Sequence, residues 1–410
     1  MTDNSTSQEP FISRVRIRNY KSIGECDVNL SGLTLLVGRN GAGKSNFIDS
    51  LSFVADGLQT SLDHAIKQRG GIDAVRRRST GHPRNFAIEL SLNLPDLRTA
   101  RYGFEVAARQ KGGFVVKQEH LRILKPNGDK EASYAVTEGN VEDGASSLSM
   151  PPAVADRLYL VNAAGLPVYR PIYDALTAMG FYNLNPAVMK QVQSPDAGEL
   201  LHRDGSNLPS VIGRLHADEP RAIEQIREYL AKIVPGVTDV QRHSLGPQET
   251  LEFRQEVAGS EAPWRFYAAS MSDGTMRALG TLVAVTQLAG RTDPVRLVGI
   301  EEPETALHPA AAGALMDALR EAAAETQILL TTHSADLLDV VDTTTEGLLG
   351  VQANRGKTEI GQLDSASRDA IRQHLYSAGE LLRMDQLSID EDDLHRQRQL
   401  EFFSEFEEVG

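Results

Sequence analysis

The residues with the clearest chemical meaning lie close together near the N-terminus. Residues 38–45 read GRNGAGKS, which matches the pattern G-x-x-x-x-G-K-[ST] in full. In such a loop, glycines let backbone N–H groups surround a phosphate, the lysine bridges two phosphates and the serine hydroxyl binds Mg²⁺. The segment predicts ATP and Mg²⁺ as cofactors, bound by Gly38, Arg39, Asn40, Gly41, Ala42, Gly43, Lys44, Ser45 and Asn46.

A pair of carboxylates follows a second apolar run, residues 295–300, and begins the segment EEPE. Successive residues of a strand point to opposite faces, so the two neighbouring carboxylates cannot do the same work. We assign Glu301, together with Ser45, to the metal and Glu302 to the general base that activates water. The alternative is an acidic strand end that only opens a loop.

Two further segments have residue types that suit a phosphate. His333 follows an apolar run at residues 327–331, where a histidine can donate a hydrogen bond to a γ-phosphate or serve the structure alone. Ser272, Asp273, Gly274 and Thr275 precede an apolar helical pattern at residues 276–288. A serine there caps the helix, and the same helix N-terminus can hold an anion.

Strand and helix patterns surround these residues. An apolar run at residues 33–37 precedes the glycine-rich loop, and helical spacing follows it at residues 45–56. Strands alternate with helices again at residues 274–341, which predicts a doubly wound sheet. Residues 86–125 predict an antiparallel β subdomain, residues 126–150 a polar loop and residues 151–232 a mostly helical insertion. The expected segments are 1–125, 126–237, 238–385 and the acidic end 386–410.

Composition excludes several protein classes. The 410 residues are 41% hydrophobic and 24% charged, which rules out a disordered chain. A single cysteine excludes a disulfide framework and a cysteine-based zinc site. No apolar run is long enough for a membrane helix and no signal-peptide pattern is present, so we expect a cytoplasmic protein without a membrane partner. The net charge is 42 − 56 = −14, which argues against a uniformly basic coat for nucleic acid.

Together these motifs resemble the ABC-type ATPase heads of the RecF/SMC group, and more closely the compact AAA-family ATPases related to the OLD-family heads. The resemblance rests on these segments: RIRNYKSIGECDVNLSGLTLLVGRNGAGKSNF (16–47), HRDGSNLPSVIGRL (202–215), SDGT (272–275), IEEPETALHP (300–309) and THS (332–334). It implies a P-loop ATPase head with a mixed or parallel sheet flanked by helices. No heptad run long enough for a coiled-coil arm is present.

The same resemblance implies a mechanism. Two copies pair head-to-tail on ATP, so that Ser272, Asp273, Gly274 and Thr275 of one copy act in trans as a signature motif. Glu302 serves as base, while Lys44 and His333 stabilise the transferring phosphoryl group. The chain departs from the family where Glu301 replaces the more common aspartate and where the D-loop, residues 305–308, lacks the usual small polar or acidic residue right after the turn at Glu304. Gln68 and Gln118 are both candidates for the coupling glutamine.

The sequence predicts binding partners less directly than it predicts nucleotide binding. Residues 67–84 contain six Lys or Arg against Asp73, a local charge of +5, and Arg76, Arg77 and Arg78 are candidates for the backbone of double-stranded DNA. A plain surface charge cluster is the alternative. The resemblance implies an ATPase in DNA repair or antiviral defence against phage, with a separately encoded effector, and it leaves higher oligomers open. The alternative is an ATP-latched scaffold or sensor that regulates a partner toxin or nuclease.

Overall fold

The computed structural model describes residues 9–79, 83–109, 112–143, 150–287, 295–399 and 402–403. The chain forms two compact units. The first contains residues 1–179, 347–369 and 387–410, and the second contains residues 180–346 and 370–386. The chain leaves the first unit after Met179 and returns to it twice, and the four segments expected from the sequence stay a prediction.

The strands, in chain order, are β1 Ile12–Tyr20, β2 Ile23–Asn29, β3 Leu33–Val37, β4 Asn85–Asn93, β5 Thr99–Ala108, β6 Phe114–Leu124, β7 Lys130–Thr137, β8 Asn140–Asp143, β9 Gly180–Tyr182, β10 Val237–Leu245, β11 Gln248–Gln255, β12 Trp264–Tyr267, β13 Leu297–Glu301, β14 Gln327–Thr332, β15 Gly347–Asn354 and β16 Lys357–Gln362.

The α-helices, in the same order, are α1 Lys44–Gln59, α2 Leu62–Gln68, α3 Ile72–Val75, α4 Leu160–Ala163, α5 Arg170–Thr177, α6 Pro186–Met189, α7 Leu208–Asp218, α8 Pro220–Ile233, α9 Asp273–Thr286, α10 Ala312–Ala323, α11 Ala335–Leu338, α12 Ser365–Arg372, α13 Ala378–Arg383 and α14 Glu391–Gln399. In the described ranges no helix exceeds the 16 residues of α1, so they contain no coiled-coil arm. None of these helices is both long and apolar enough to cross a bilayer.

The first unit is built on a mixed sheet. Its strands follow the order β8-β7-β6-β5-β4-β1-β2-β16-β15-β3. Neighbours from β8 to β2 are antiparallel, whereas β16 pairs with β2, and β15 with β3, in parallel. The predicted antiparallel subdomain at residues 86–125 is therefore confirmed.

The predicted polar loop at residues 126–150 was wrong for part of its length. Residues 130–143 form β7 and β8 and extend the antiparallel sheet. Ala132, Tyr134 and Val136 alternate along β7 and are buried, which is the period of a strand with one face in the core. Residues 144–149 lie outside the described part of the chain.

The second unit contains two groups of paired strands. β14, β13 and β9 form parallel pairs in that order, and β10-β11-β12 form an antiparallel sheet. Helix α9 is buried along most of its length. The alternation of strand and helix predicted for residues 274–341 is confirmed up to Gln287 and from Val295 onward, while residues 288–294 are not described.

A buried carboxylate fastens α4 to the sheet of the first unit. Glu119 on β6 accepts hydrogen bonds from Tyr134 Oη at 2.9 Å and Tyr102 Oη at 3.2 Å. It also accepts bonds from the backbone N–H groups of Tyr159 and Leu160. Burial raises the pKa of Glu119 to about 7, although these donors favour the charged form and act in the opposite direction.

This raised pKa predicts a pH-dependent stability. The unfolded chain releases the proton of Glu119 near its ordinary pKa of 4.5, whereas the folded chain keeps it up to about pH 7. The free energy of unfolding should therefore be highest below that ordinary pKa and fall as pH rises through 7, by on the order of 3 kcal/mol. Urea unfolding at about pH 5 and about pH 8 measures the change. Glu119→Gln, which does not titrate, should remove the slope, and partly exposed Glu131→Gln should keep it; equal slopes in all three proteins would contradict the prediction.

Candidate functional site

The glycine-rich loop joins a buried strand to a helix, as predicted. All five residues of β3 are buried, and α1 begins at Lys44. Gly43 caps α1 with a φ of 106°, a left-handed conformation that suits glycine. A methyl group on Gly38 would lie 2.1 Å from the carbonyl oxygen of Val351, so close packing requires glycine there as well. The left-handed backbone at Gly43 and the close packing at Gly38 thus explain why both positions are glycine.

Lys44 is folded into its own loop. Its side chain is buried, and Nζ donates to the carbonyl oxygens of Gly38 at 2.8 Å and Arg39 at 3.2 Å. Arg39, Asn40, Gly41 and Ser45 are exposed on the same segment. An ammonium held among backbone amides at the start of a 16-residue helix is the arrangement that binds phosphate.

Two residues that the sequence did not indicate support the glycine-rich loop through hydrogen bonds. Thr358 on β16 donates from Oγ1 to the carbonyl oxygen of Ala42 at 2.8 Å. The same hydroxyl lies 2.7 Å from Ser22 Oγ, which accepts a bond from Asn46 Nδ2 at 2.6 Å. Thr358 is 316 residues from Ala42 in sequence, so no local pattern could identify it. The bonds connect Ala42 in the loop to β16 and Asn46 at the start of α1 to the turn between β1 and β2.

Removing the hydrogen bond from Thr358 should weaken nucleotide binding, although the substituted residue does not contact the nucleotide. Thr358→Val keeps the side-chain volume but loses a buried hydrogen bond of about 1 kcal/mol. We expect the affinity for ATP to fall about fivefold, measured by isothermal titration calorimetry. Thr99→Val, an exposed threonine in the first unit, is the matched control and should bind as the wild type does. A Thr358→Val variant with unchanged affinity would contradict the supporting role.

In the second unit, Glu302 and His333 lie together at the ends of β13 and β14. The parallel register places Glu301 beside Thr331, and His333 Nδ1 lies 3.2 Å from Glu302 Oε1. Glu302 has a φ of 45°, and its backbone N–H donates to Thr331 O at 3.0 Å. A positive φ in a glutamate is strained and is common at functional sites. Both side chains are about one-third exposed and can meet solvent or ligand.

Glu304 is a buried acid that the sequence analysis left without a role. Thr332 Oγ1 donates to Glu304 Oε1 at 2.5 Å, and Oε2 has no hydrogen-bond partner among the described residues. Burial raises the pKa of Glu304. Because Thr332 precedes His333, this bond holds the turn after β13 against the end of β14. Glu304 therefore positions the segments that contain Glu302 and His333.

The predicted signature segment begins α9. Ser272 is its N-cap, and its Oγ accepts a bond from Thr275 N at 3.0 Å. Asp273 forms an ion pair with Lys190. A methyl group on Gly274 would lie 2.2 Å from the carbonyl oxygen of Ala306, which belongs to the predicted D-loop and has a φ of 67°. The signature and the D-loop are therefore in direct contact within one unit.

Arg277, one turn further along α9, is a cation that the sequence analysis missed. Its Nε is buried without a hydrogen-bond partner in the described part of the chain. Burial lowers the pKa of Arg277, while the charges of Glu302 and Glu304 oppose that shift. Arg277 also lines a cavity of about 760 Å³. The rest of the lining consists of residues 183–186, His202, Arg203, Asp204 and Ser206.

The candidate DNA residues make contacts within the protein. Arg76 Nε lies 2.8 Å from Asp73 Oδ1, and its Nη1 donates to Pro83 O at 2.9 Å. Arg78 Nε donates to the carbonyl oxygen of Asp73 at 3.0 Å. Arg77 has a buried Nε without a hydrogen-bond partner among the described residues. These three residues follow α3 in an irregular segment, and part of the basic stretch, residues 80–82, is not described.

The two candidates for the coupling glutamine differ in surroundings. Gln118 on β6 donates to Glu105 Oε2 at 2.8 Å and is partly buried. Gln68, at the end of α2, lies 2.7 Å from His64 Nε2 on the exposed side of that helix. The choice between the two glutamines stays open.

Two sequence families match this chain. Residues 11–119 match a family described as "AAA ATPase domain". Residues 179–339 match a family described as "AAA domain, putative AbiEii toxin, Type IV TA system". The first match lies within the first unit, and the second covers most of the second unit.

Known proteins give a short sequence match and a longer structural one. The DNA replication and repair protein RecF of Corynebacterium jeikeium (strain K411) is 36% identical over 63 residues, 15% of this chain and 15% of that protein. The crystal structure of the SmcHead bound to the C-winged helix domain of ScpA aligns with a TM-score of 0.52 and 17% identity, over 88% of this chain and 100% of that chain. That likeness shows the fold, so the predicted head with a mixed sheet flanked by helices is confirmed.

Proposed function

We propose that this chain, as an ABC-type ATPase of the RecF and SMC group, binds MgATP and hydrolyses it. The observation that carries hydrolysis is the pairing of Glu302 with His333 on a strained backbone. Such a pair offers a carboxylate that can accept the proton of water and an imidazole that can donate to a phosphate. Matches to two ATPase-domain families support the proposal.

We assign one role to each predicted site residue. The backbone N–H groups of residues 38–46 surround the β-phosphate, and Lys44 neutralises charge between the β- and γ-phosphates. Ser45 and Glu301 would each contribute an oxygen ligand to Mg²⁺, which would supply polarisation of the phosphoryl group. Glu302 accepts a proton from the attacking water, and His333 donates a hydrogen bond to the γ-phosphate.

The signature residues act in trans in this proposal. A helix N-terminus favours a negative ligand, and Ser272 and Gly274 stand at that end of α9. A second copy would therefore cover the γ-phosphate of ATP bound to the first copy. The contact between Gly274 and Ala306 supports a D-loop that moves with the signature.

Mixing two inactive variants tests this pairing. Lys44→Ala removes the phosphate lysine, and Ser272→Arg blocks the signature, so homodimers of either variant should not turn over ATP. An equal mixture forms heterodimers with one intact site, and about a quarter of the wild-type phosphate release should return. A mixture as inactive as its components would argue against sites shared between two copies.

A DNA-related role with a separate effector is the favoured setting. The matched relative is a DNA replication and repair protein, and the structural neighbour is an SMC head bound to part of another protein, ScpA. The second candidate is an ATP-latched regulator of a partner toxin or nuclease, suggested by the description of the family that matches residues 179–339. DNA-stimulated turnover would favour the first candidate, and turnover indifferent to DNA would favour the second.

A further inference from the structure

An ion pair lies at the first turn of α9, the helix that begins with the predicted signature. Asp273 is the first residue of this helix, directly after the N-cap Ser272. Lys190 Nζ donates to Asp273 Oδ1. The side chain of Asp273 is 63% exposed, whereas that of Lys190 is 24% exposed. The carboxylate therefore faces solvent, and the lysine that neutralises it is mostly covered.

The packing of α6 against α9 holds Lys190 in this position. Lys190 directly follows α6, whose last residue, Met189, is fully buried. A methyl group on Gly280 of α9 would lie 2.7 Å from Met189 Cε, and a methyl group on Gly205 would lie 2.6 Å from Met189 Cγ. Both glycines leave space for Met189, so the end of α6 is anchored on α9 by close packing.

Arg277 is a second cation on this part of α9, but it does not replace Lys190. Burial lowers the pKa of Arg277, and among the acids that oppose this shift Glu302 and Glu304 act more strongly than Asp273. In the part of the chain that the structure describes, Lys190 is the one cation that forms an ion pair with Asp273. The charge of Asp273 is therefore balanced mainly by Lys190.

This balance matters because of where Asp273 stands. The start of a helix carries about half a positive charge and attracts anions. Asp273 brings a full negative charge to the same place, so without a partner it would repel a phosphate that approaches the start of α9. Lys190 cancels the charge of Asp273 and leaves the positive end of the helix available.

We propose that Lys190 is a positioning residue of the site formed in trans: by neutralising Asp273, it lets the start of α9 in one copy approach the γ-phosphate of ATP bound to a second copy. The proposal rests on the pairing of copies in the proposed function and adds a residue to it. Lys190 acts through Asp273 and does not touch the phosphate. Its loss should weaken the pairing of copies but not the binding of ATP to the glycine-rich loop of one copy.

The dissociation constant of the paired copies tests this role. Sedimentation of the full chain with Mg²⁺ and a slowly hydrolysed ATP analogue measures it. Lys190→Met should raise this constant about tenfold, because Asp273 then meets the phosphate without a partner. Lys190→Arg keeps the charge and should stay within about threefold of the wild type. Lys232→Met changes an exposed lysine on α8 of the same unit and should pair as the wild type does.

Removing both charges separates an electrostatic role from a structural one. Lys190→Met combined with Asp273→Asn should pair within about threefold of the wild type, since no carboxylate is left to repel the phosphate. Added salt should narrow the difference between Lys190→Met and the wild type, because Asp273 is mostly exposed and its charge is screened. In a Ser272→Arg background, which blocks the signature, calorimetry should give the same affinity for the analogue with and without Lys190→Met.

The outcomes distinguish this inference from the pairing on which it rests. A wild type that pairs on the analogue, together with a Lys190→Met variant that pairs equally well, would overturn the role of Lys190 alone. A double variant as weak as Lys190→Met would show that Lys190 does not act through Asp273 and would also overturn the proposal. A wild type that does not pair would refute the pairing of copies and this inference with it.

Discussion

Glu302→Gln is expected to lower the steady-state rate of ATP hydrolysis by about 100- to 10,000-fold while MgATP still binds. Glutamine keeps the size of the side chain, but its amide cannot accept the proton of the attacking water. Glu302 lies beside His333 on a strained turn, and the backbone N–H bonds to Thr331 do not depend on the carboxylate. Phosphate release and calorimetric binding of MgATP, measured on the same preparation, separate catalysis from affinity.

The control for this variant is an acid of the same unit outside the site. Glu325→Gln changes an exposed glutamate and should turn over ATP as the wild type does. A Glu302→Gln variant with normal turnover would contradict the assignment of Glu302 as the general base. If binding of MgATP were lost together with turnover, Glu302 would instead belong to the framework of the site.

Lys44→Ala is the second substitution for which we expect a large effect. The buried ammonium at Lys44 would exchange its two carbonyl contacts within the loop for phosphate oxygens. A hydrogen bond to a charged group contributes about 1.5–3 kcal/mol, so the affinity for a slowly hydrolysed ATP analogue should fall about ten- to a hundredfold. Calorimetry measures the loss directly.

The matched control is Lys67→Ala, a mostly exposed lysine in the same unit that pairs with Asp63. It should bind the analogue normally. Equal affinity in Lys44→Ala and the wild type would show that the loop does not bind the phosphates. A melting temperature close to the wild-type value would confirm that the Lys44→Ala variant is folded.

The glycine-rich loop could be predicted because its chemistry is local. The residue types, the preceding strand and the following helix all lie within about thirty positions, and the structure has the strand at Leu33–Val37, as expected. The same holds for the acidic strand end and for the serine cap of α9, where a short pattern determines a local conformation.

The residues that were missed act through tertiary contacts. Thr358 supports the loop from a strand that returns to the first unit more than 300 positions later, and no spacing rule links the two. Glu304 stands out because its side chain is buried, and Arg277 because its Nε is buried; burial of a polar group cannot be read from its neighbours in sequence.

The loop predicted from the polar composition of residues 126–150 was wrong in part. Residues 126–150 are rich in polar side chains, and that average concealed the alternation of Ala132, Tyr134 and Val136. The chain returns to the first unit at Gly347 and again at Leu387, and the second return lies one residue from the start of the acidic end predicted at residues 386–410.

The measurement that tests the central claim most directly is steady-state phosphate release by the purified wild-type chain. It should be made with MgATP, with the metal chelated, and with linear duplex or single-stranded DNA added. We predict turnover that requires Mg²⁺, is stimulated by DNA and is lost in Glu302→Gln. Phosphate release no higher than that of Glu302→Gln under every one of these conditions would contradict the claim that this chain is an ATP-hydrolysing head.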